Sequence, residues 1–243
     1  MLRFEQVHKT YAKQLGQPPH VALKGVSFRM QSGETLGLIG PNGAGKSTSI
    51  RLLLDFIRPD RGTIRIFDQP PQNPDIRRRI GYLPELANFP QNVSCMEMLR
   101  FAGKTCRMPR KEINAAAEKW LNRLGLWPER NRLLRGFSKG MQQRASFTLA
   151  LIHNPELLIL DEPMSGLDPI GRVDIVNLIR ELREEGKSVL FCSHLLDDIE
   201  RIAEQVLVLN KGNVLFQGAT SDMRRDENET LEEAFMRLIR GDA

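Results

Sequence analysis

Cysteine is scarce in this chain: of 243 residues, only Cys95, Cys106 and Cys192 are cysteine. Their spacing contains no Cys-x-x-Cys pair, which argues against a zinc site and fits a reducing compartment. Long apolar runs are absent too. No stretch approaches the ~18 apolar residues of a membrane span, and Met1-Leu2-Arg3-Phe4-Glu5 has neither the apolar core nor the cleavage signal of a targeting segment. If membranes matter to this protein, another chain supplies the span. Internal repeats and low-complexity segments are missing as well. Neither sign of charge dominates, with 35 Lys and Arg against 30 Asp and Glu, a net +5. Much of that excess is local, because 104–135 holds nine basic residues against Glu112, Glu118 and Glu129. Such a patch suits nucleic acid, anionic lipid or an acidic partner, or is a solvated helical face. The length suits one large or two small domains with an ample core.

What is present is a concentrated glycine signal. Leu36-Gly37-Leu38-Ile39 is an apolar run that breaks at Gly40-Pro41-Asn42-Gly43-Ala44-Gly45-Lys46-Ser47-Thr48 and re-enters helix-forming sequence. Gly40, Gly43 and Gly45 free the backbone to curl so that successive N–H groups point at phosphate oxygens, and a helix from Lys46 to about Ile57 adds the positive end of its dipole. Lys46 is placed to reach β- and γ-phosphates, and the Ser47 hydroxyl to hold Mg²⁺. This Gly-x4-Gly-Lys-Ser pattern predicts a phosphate-binding loop, but kinases, GTPases and motor ATPases share it.

The remaining stretches narrow the choice. Leu2 to Val7 alternates as a strand; after a break at Gly16-Gln17-Pro18-Pro19, Val21-Ala22-Leu23 and Val26 to Met30 resume it, and with Gly62 to Phe67 they predict a small, largely antiparallel sheet. Tyr11 falls in the first break, where its ring suits stacking on a base. Ile80-Gly81-Tyr82-Leu83 reads as a buried strand running into Pro84-Glu85, which places Glu85 at a ligand-binding strand end. Ser94 then caps a helix carrying Met96, Met98, Leu99 and Phe101, and Pro109 starts another with Ile113, Ala117, Trp120 and Leu121 on one face. Ser138 caps a third, which makes a second potential anion site beside Gly140.

Leu157-Leu158-Ile159-Leu160 is short and continuous, as in a central parallel strand, and ends in Asp161-Glu162. Two carboxylates at such an end suit a cation and a proton-handling role: Asp161 for Mg²⁺, Glu162 to polarise an attacking water. A turn at Ser165-Gly166-Leu167-Asp168 precedes a helix from Pro169 to Glu185 that stops at Gly186. Ser188 to Ser193 is the next core strand and delivers His194, a candidate γ-phosphate sensor. A hairpin around Asn210-Lys211-Gly212-Asn213 and a helix from Thr230 to Arg240 close the chain.

In this order, over nearly the whole chain, these motifs resemble the ATP-binding subunit of an ABC transporter. The resemblance implies an α/β fold, a P-loop NTPase (RecA-like) core with an antiparallel β subdomain and an inserted α-helical subdomain. It implies one ATP-binding domain over 1–243: 1–86 and 155–218 as core and β subdomain, 87–154 as helical subdomain with the signature, 219–243 as a helical tail. It implies ATP and Mg²⁺, with Tyr11 on adenine, Gly40 to Thr48 on the phosphates, and Ser47, Glu85 and Asp161 toward the metal. Ser138 and Gly140 would meet the γ-phosphate across a head-to-tail dimer with Asp168 at the interface, Glu162 would be the catalytic base and His194 the switch residue.

Two positions depart from the family's commonest pattern. Glutamine usually stands where this chain has Glu85, and Leu-Ser-Gly-Gly-Gln where it has Phe137-Ser138-Lys139-Gly140-Met141. Both variants look similar to the ABC-2 type, exporter-like branch. The expected partners are a separate polytopic membrane subunit and a second ATP-binding subunit, in a homodimer or with a related chain, with no nucleic acid. The expected place is cytoplasmic, peripheral on the inner face of the membrane. One rival is a soluble ABC-type ATPase acting on ribosomes or nucleic acid, which salt-sensitive RNA binding would reveal. Another is a module that holds ATP without hydrolysing it, disfavoured by Glu162 and His194.

Overall fold

The computed structural model describes residues 1–12, 19–86, 88–90, 92–226 and 228–241. Of the expected first break, Gly16, Gln17 and Pro18 lie outside the described residues. From the N-terminus the order is β1 (Leu2–Tyr11), β2 (His20–Met30), β3 (Thr35–Ile39), α1 (Lys46–Leu53), β4 (Arg61–Ile66), α2 (Pro74–Arg77) and β5 (Ile80–Leu83). Then come α3 (Cys95–Thr105), α4 (Arg110–Arg123), α5 (Lys139–Leu151), β6 (Leu157–Asp161) and α6 (Pro169–Glu184). The last are β7 (Ser188–Cys192), α7 (Leu196–Ile202), β8 (Gln205–Asn210), β9 (Asn213–Ala219) and α8 (Leu231–Arg240). By contacts the chain divides into two units, Met1–Arg77 with Ser188–Ala243, and Arg78–Lys187.

In the first unit an antiparallel sheet runs β2-β1-β4, with Phe4 opposite Phe28 and Ile64. The Phe4 and Phe28 rings stack at 4.4 Å. Strict alternation from Leu2 and Phe4 would bury Gln6. Instead the register shifts between Phe4 and Val7, Gln6 takes a left-handed φ of 48°, and Val7 is the residue that enters the core. The Gln6 backbone N–H donates to Ser27 Oγ at 2.8 Å. That bulge inserts one residue and restores the apolar phase beyond it. The same unit places β3 between β7 and β8, parallel to both, with β9 antiparallel to β8. Every residue of β3 and β7 is buried, which is why neither shows polar alternation.

In the second unit β5 and β6 are parallel, with Leu83 beside Leu160. Leu157 to Leu160 are fully buried. Ser94 caps α3 in a capping box: its Oγ accepts from the Glu97 N–H at 3.3 Å, and Glu97 Oε2 accepts from the Ser94 N–H at 2.8 Å. Leu99 of α3, Ala117 and Leu121 of α4 and Ala145 of α5 share one apolar cluster with Phe137. Arg123 of α4 clasps Glu181 of α6 with a two-pronged hydrogen bond, 2.6 and 3.0 Å.

Four details differ from the sequence expectation. Tyr11 is the last residue of β1, paired with His20, because the strand continues past its bulge. The segments at Val21 and Val26 belong to one strand, β2. Helix α1 ends at Leu53, where Asp55 turns left-handed (φ 56°) and the Phe56 N–H donates to Arg51 O at 2.9 Å. Phe101 faces outward at 66% exposure, because Leu99 and Gly103 take the buried stripe of α3. The short helices α2 and α7 were not anticipated.

Candidate active site

In the first unit the glycine loop joins β3 to α1. Gly40 has φ 154° and Gly45 φ 114°, and a Cβ on Gly40 would lie 2.2 Å from Leu209 O. On Gly45 it would lie 2.7 Å from Leu23 Cδ2 and 2.9 Å from Ala22 O. The loop is thus pressed against β2 and β8 with only glycine fitting. The β8–β9 turn supports it, since the Gly212 N–H donates to Ala44 O at 3.1 Å and the Lys24 N–H to Gly212 O at 2.8 Å. Asn42, Gly43 and Ser47 are exposed, and Pro41 is half-buried. Lys46 Nζ donates to Gly40 O at 2.5 Å and Pro41 O at 3.3 Å, so the ammonium bridges the loop from within.

Tyr11 is tied to the same element, its phenolic oxygen 3.3 Å from Thr48 Oγ1. His194 is exposed two residues beyond β7, with Ser193 Oγ accepting the Leu195 N–H at 3.1 Å behind it. This unit therefore assembles a glycine cradle at a helix N-terminus, with a cation, two hydroxyls and an aromatic ring. The chemistry fits a polyphosphate carrying a flat base.

In the second unit Asp161 ends β6 and Glu162 follows with a left-handed φ of 49°, an unfavourable conformation for a side chain with a Cβ. One residue absent from the sequence reading holds it. The side chain of Gln143 on α5, only 4% exposed, donates its amide to Pro163 O at 2.9 Å and Glu162 O at 3.3 Å. Its signal in the sequence is an amide on the core-facing stripe, one turn before Ser146 and Phe147 and two before Ala150. Replacing Gln143 with leucine is expected to lower stability by about 1–3 kcal/mol, which urea unfolding measures.

Glu85 is exposed two residues beyond β5, and the Leu83–Leu160 pairing brings it and Asp161 off the same end of the parallel pair. Within the second unit Glu85 and Asp161 offer carboxylate oxygens, and within the first Ser47 offers a hydroxyl, donor types that suit Mg²⁺ rather than a softer ion. No cluster of three or more His, Cys, Asp or Glu occurs among the described residues.

Ser138, Gly140 and Asp168 converge on a single cavity of about 500 Å³, which Arg132, Lys139 and Arg144 also line. Ser138 caps α5 through Oγ, accepting the Met141 N–H at 3.2 Å. Asp168 is spent in part on capping α6, its Oδ1 accepting the Gly171 N–H at 2.7 Å. The cavity thus brings a helix N-terminus and three cationic side chains together with two carboxylates, Glu129, which pairs with Arg132, and Asp168.

A family model described as ABC transporter matches residues 23–165. The chain is 34% identical to an uncharacterised ABC transporter ATP-binding protein, YxlF, of Bacillus subtilis, over 93% of this chain and 74% of the relative. It is 33% identical to the daunorubicin/doxorubicin resistance ATP-binding protein DrrA of Streptomyces peucetius, over 84% of this chain and 62% of the relative. Among curated relatives the share of the relative's own length that this chain spans is as low as 58%. A solved dimeric structure of a post-hydrolysis state of the ATP-binding cassette MJ0796, bound to ADP and Pi, superposes with a TM-score of 0.82 at 27% identity, covering 90% of this chain and 98% of that one. These matches show that the chain belongs to the ABC transporter family, as an ATP-binding subunit with the fold of a P-loop ATPase.

Proposed function

We propose that the chain is one of two cassettes that close over ATP and drive a separate polytopic membrane subunit, in an export system of the ABC-2 type. The observation that carries this reading is the cavity at the start of α5. A helix N-terminus, Arg132, Lys139 and Arg144 line it, beside the carboxylates of Glu129 and Asp168, and on this reading it would receive the γ-phosphate of ATP held by a second copy. The dimeric form of the MJ0796 cassette supports it, and the resistance named for DrrA supports export. On this reading 1–86 and 155–218 form the core and β subdomain, 87–154 the helical subdomain that meets the membrane subunit, and 219–243 a tail. The pair sits peripherally on the cytoplasmic face.

The chemistry is in-line attack of water on the γ-phosphorus. Glu162 takes the water proton as the new P–O bond forms and the bond to the β–γ bridging oxygen breaks, releasing ADP and phosphate. Lys46, the loop N–H groups and the partner's α5 terminus neutralise the charge that develops on the phosphoryl oxygens. His194 orients the γ-phosphate, and Tyr11 stacks on adenine. Mg²⁺, when bound, would be held by Ser47, Glu85 and Asp161 and would neutralise charge on the phosphate oxygens. Gln143 acts as a positioning residue through the backbone of Glu162. Its leucine variant is expected to lose turnover roughly ten- to a hundredfold with KM little changed. An unchanged kcat would remove the positioning role.

The test is affinity purification of the tagged Glu162→Gln chain from detergent-solubilised membranes in ATP. A stoichiometric polytopic polypeptide is the expected companion. Recovery from the soluble fraction alone, with ribosomes or RNA attached, would replace this reading with that of a soluble ATPase.

A further inference from the structure

The connection between α3 and α4 uses none of its side chains for the site described above. Over 101–113 it carries Lys104, Arg107, Arg110 and Lys111, all exposed, against the single carboxylate of Glu112. Among the described residues none of these four cations has a carboxylate within salt-bridge distance. Elsewhere in the same unit Arg79, Arg123 and Arg132 are each matched to a glutamate. Arg107 is held out by a left-handed backbone, φ 61°, and its N–H donates to Lys104 O at 2.9 Å, so the turn is closed and its cations splay outward. Phe101, 66% exposed, stands one turn before Lys104 and Thr105 on α3, with the Thr105 hydroxyl donating to Phe101 O at 3.0 Å. Below the tip Gly103 is buried against Ile113, so the two helices approach closely there.

Four unmatched cations beside a bare aromatic ring form a chemical pattern of their own. A solvated face needs no exposed phenylalanine, and here the exposed ring and the exposed cations lie within one short hairpin. An anionic bilayer surface answers all of them at once. Its headgroups attract clustered Lys and Arg, and its interface accepts an aromatic ring at the level of the headgroups. We propose that the α3–α4 tip is a lipid contact that rests on the anionic leaflet. Phe101 enters the headgroup layer while Lys104, Arg107, Arg110 and Lys111 pair with lipid phosphates. This goes beyond the membrane-subunit reading, because the contact needs no second protein.

The experiment is sedimentation of the full chain with vesicles of phosphatidylcholine alone and with vesicles containing phosphatidylglycerol, ATP binding being measured on the same samples. Each cation near such a surface favours binding about fivefold. The chain is therefore expected to sediment with the phosphatidylglycerol vesicles only and to be released as salt shortens the Debye length. Changing Lys104, Arg107, Arg110 and Lys111 together to Gln is expected to weaken partitioning at least about thirtyfold, and Phe101→Ser severalfold. Both variants should leave ATP binding and the unfolding midpoint unchanged, because the side chains are exposed and unmatched.

Equal sedimentation with both vesicle types, or undiminished binding of the quadruple variant, would overturn the proposal. So would absence of vesicle binding by a chain that still binds ATP, and that result leaves the ATPase reading intact. If the quadruple variant instead loses its membrane subunit in lipid-free detergent while vesicle binding persists, the cations face protein, and the lipid contact is refuted.

Discussion

Changing Glu162 to glutamine is expected to lower ATP turnover by about two to four orders of magnitude while ATP binding persists. Glutamine keeps the volume and one carbonyl of the side chain but takes no proton from the attacking water. The backbone that aims the side chain is held independently of it. Gln143 grips the carbonyls of residues 162 and 163, and the Ser165 N–H donates to the carbonyl of residue 162 at 3.0 Å. The substitution should therefore remove the chemistry without moving the strand end. Single-turnover assays beside equilibrium nucleotide binding separate the two effects. A variant that hydrolyses as fast as the parent would assign the base elsewhere.

Changing Lys46 to alanine is expected to weaken ATP binding by about a hundredfold, since charge-assisted hydrogen bonds to phosphate are worth about 1.5–3 kcal/mol each. Part of the loss precedes the ligand. Lys46 Nζ bridges Gly40 O and Pro41 O, so its removal also loosens the cradle that Gly40 and Gly45 press against β2 and β8. Restoring the positive charge as arginine should recover little, because a planar fork does not fit where a compact ammonium lies between two carbonyls. Titration with a fluorescent ATP analogue measures the change, and undiminished affinity would remove Lys46 from the phosphate site.

How much of this was readable beforehand depended on the range of the forces involved. The caps at Ser94 and Ser138 and the hairpin turn at Lys211-Gly212 are local hydrogen-bonding devices, and the residues that make them announce them, whereas Asp168 reads as a turn residue and proves to cap α6. The buried strands β3, β6 and β7 were equally plain as short apolar runs. Long-range partners were not plain. Gln143 looks like one more polar residue beside Gln142, and only the neighbouring strand end gives it a purpose. The Gln6 bulge interrupts the alternation expected from Leu2 to Val7, and Ser27, 21 residues away, accepts the Gln6 N–H. Phe101 reads as core by hydropathy, yet the buried face of α3 is set by α4 and α5, which a helical pattern alone does not orient. The expected site residues rest on motif spacing and family resemblance, whereas the role of Gln143 shows only in the fold.

The measurement that bears most directly on the account is the mass of the Glu162→Gln chain in solution, by sedimentation, without nucleotide, with ADP and with ATP and Mg²⁺. A subunit that works by closing over ATP should be monomeric in the first two states and dimeric in the third, and Ser138→Arg, which crowds the α5 cavity, should abolish that dimer while ATP binding remains. A chain that stays monomeric under saturating ATP, or dimerises without regard to nucleotide, would contradict ATP-driven closure as the source of its work.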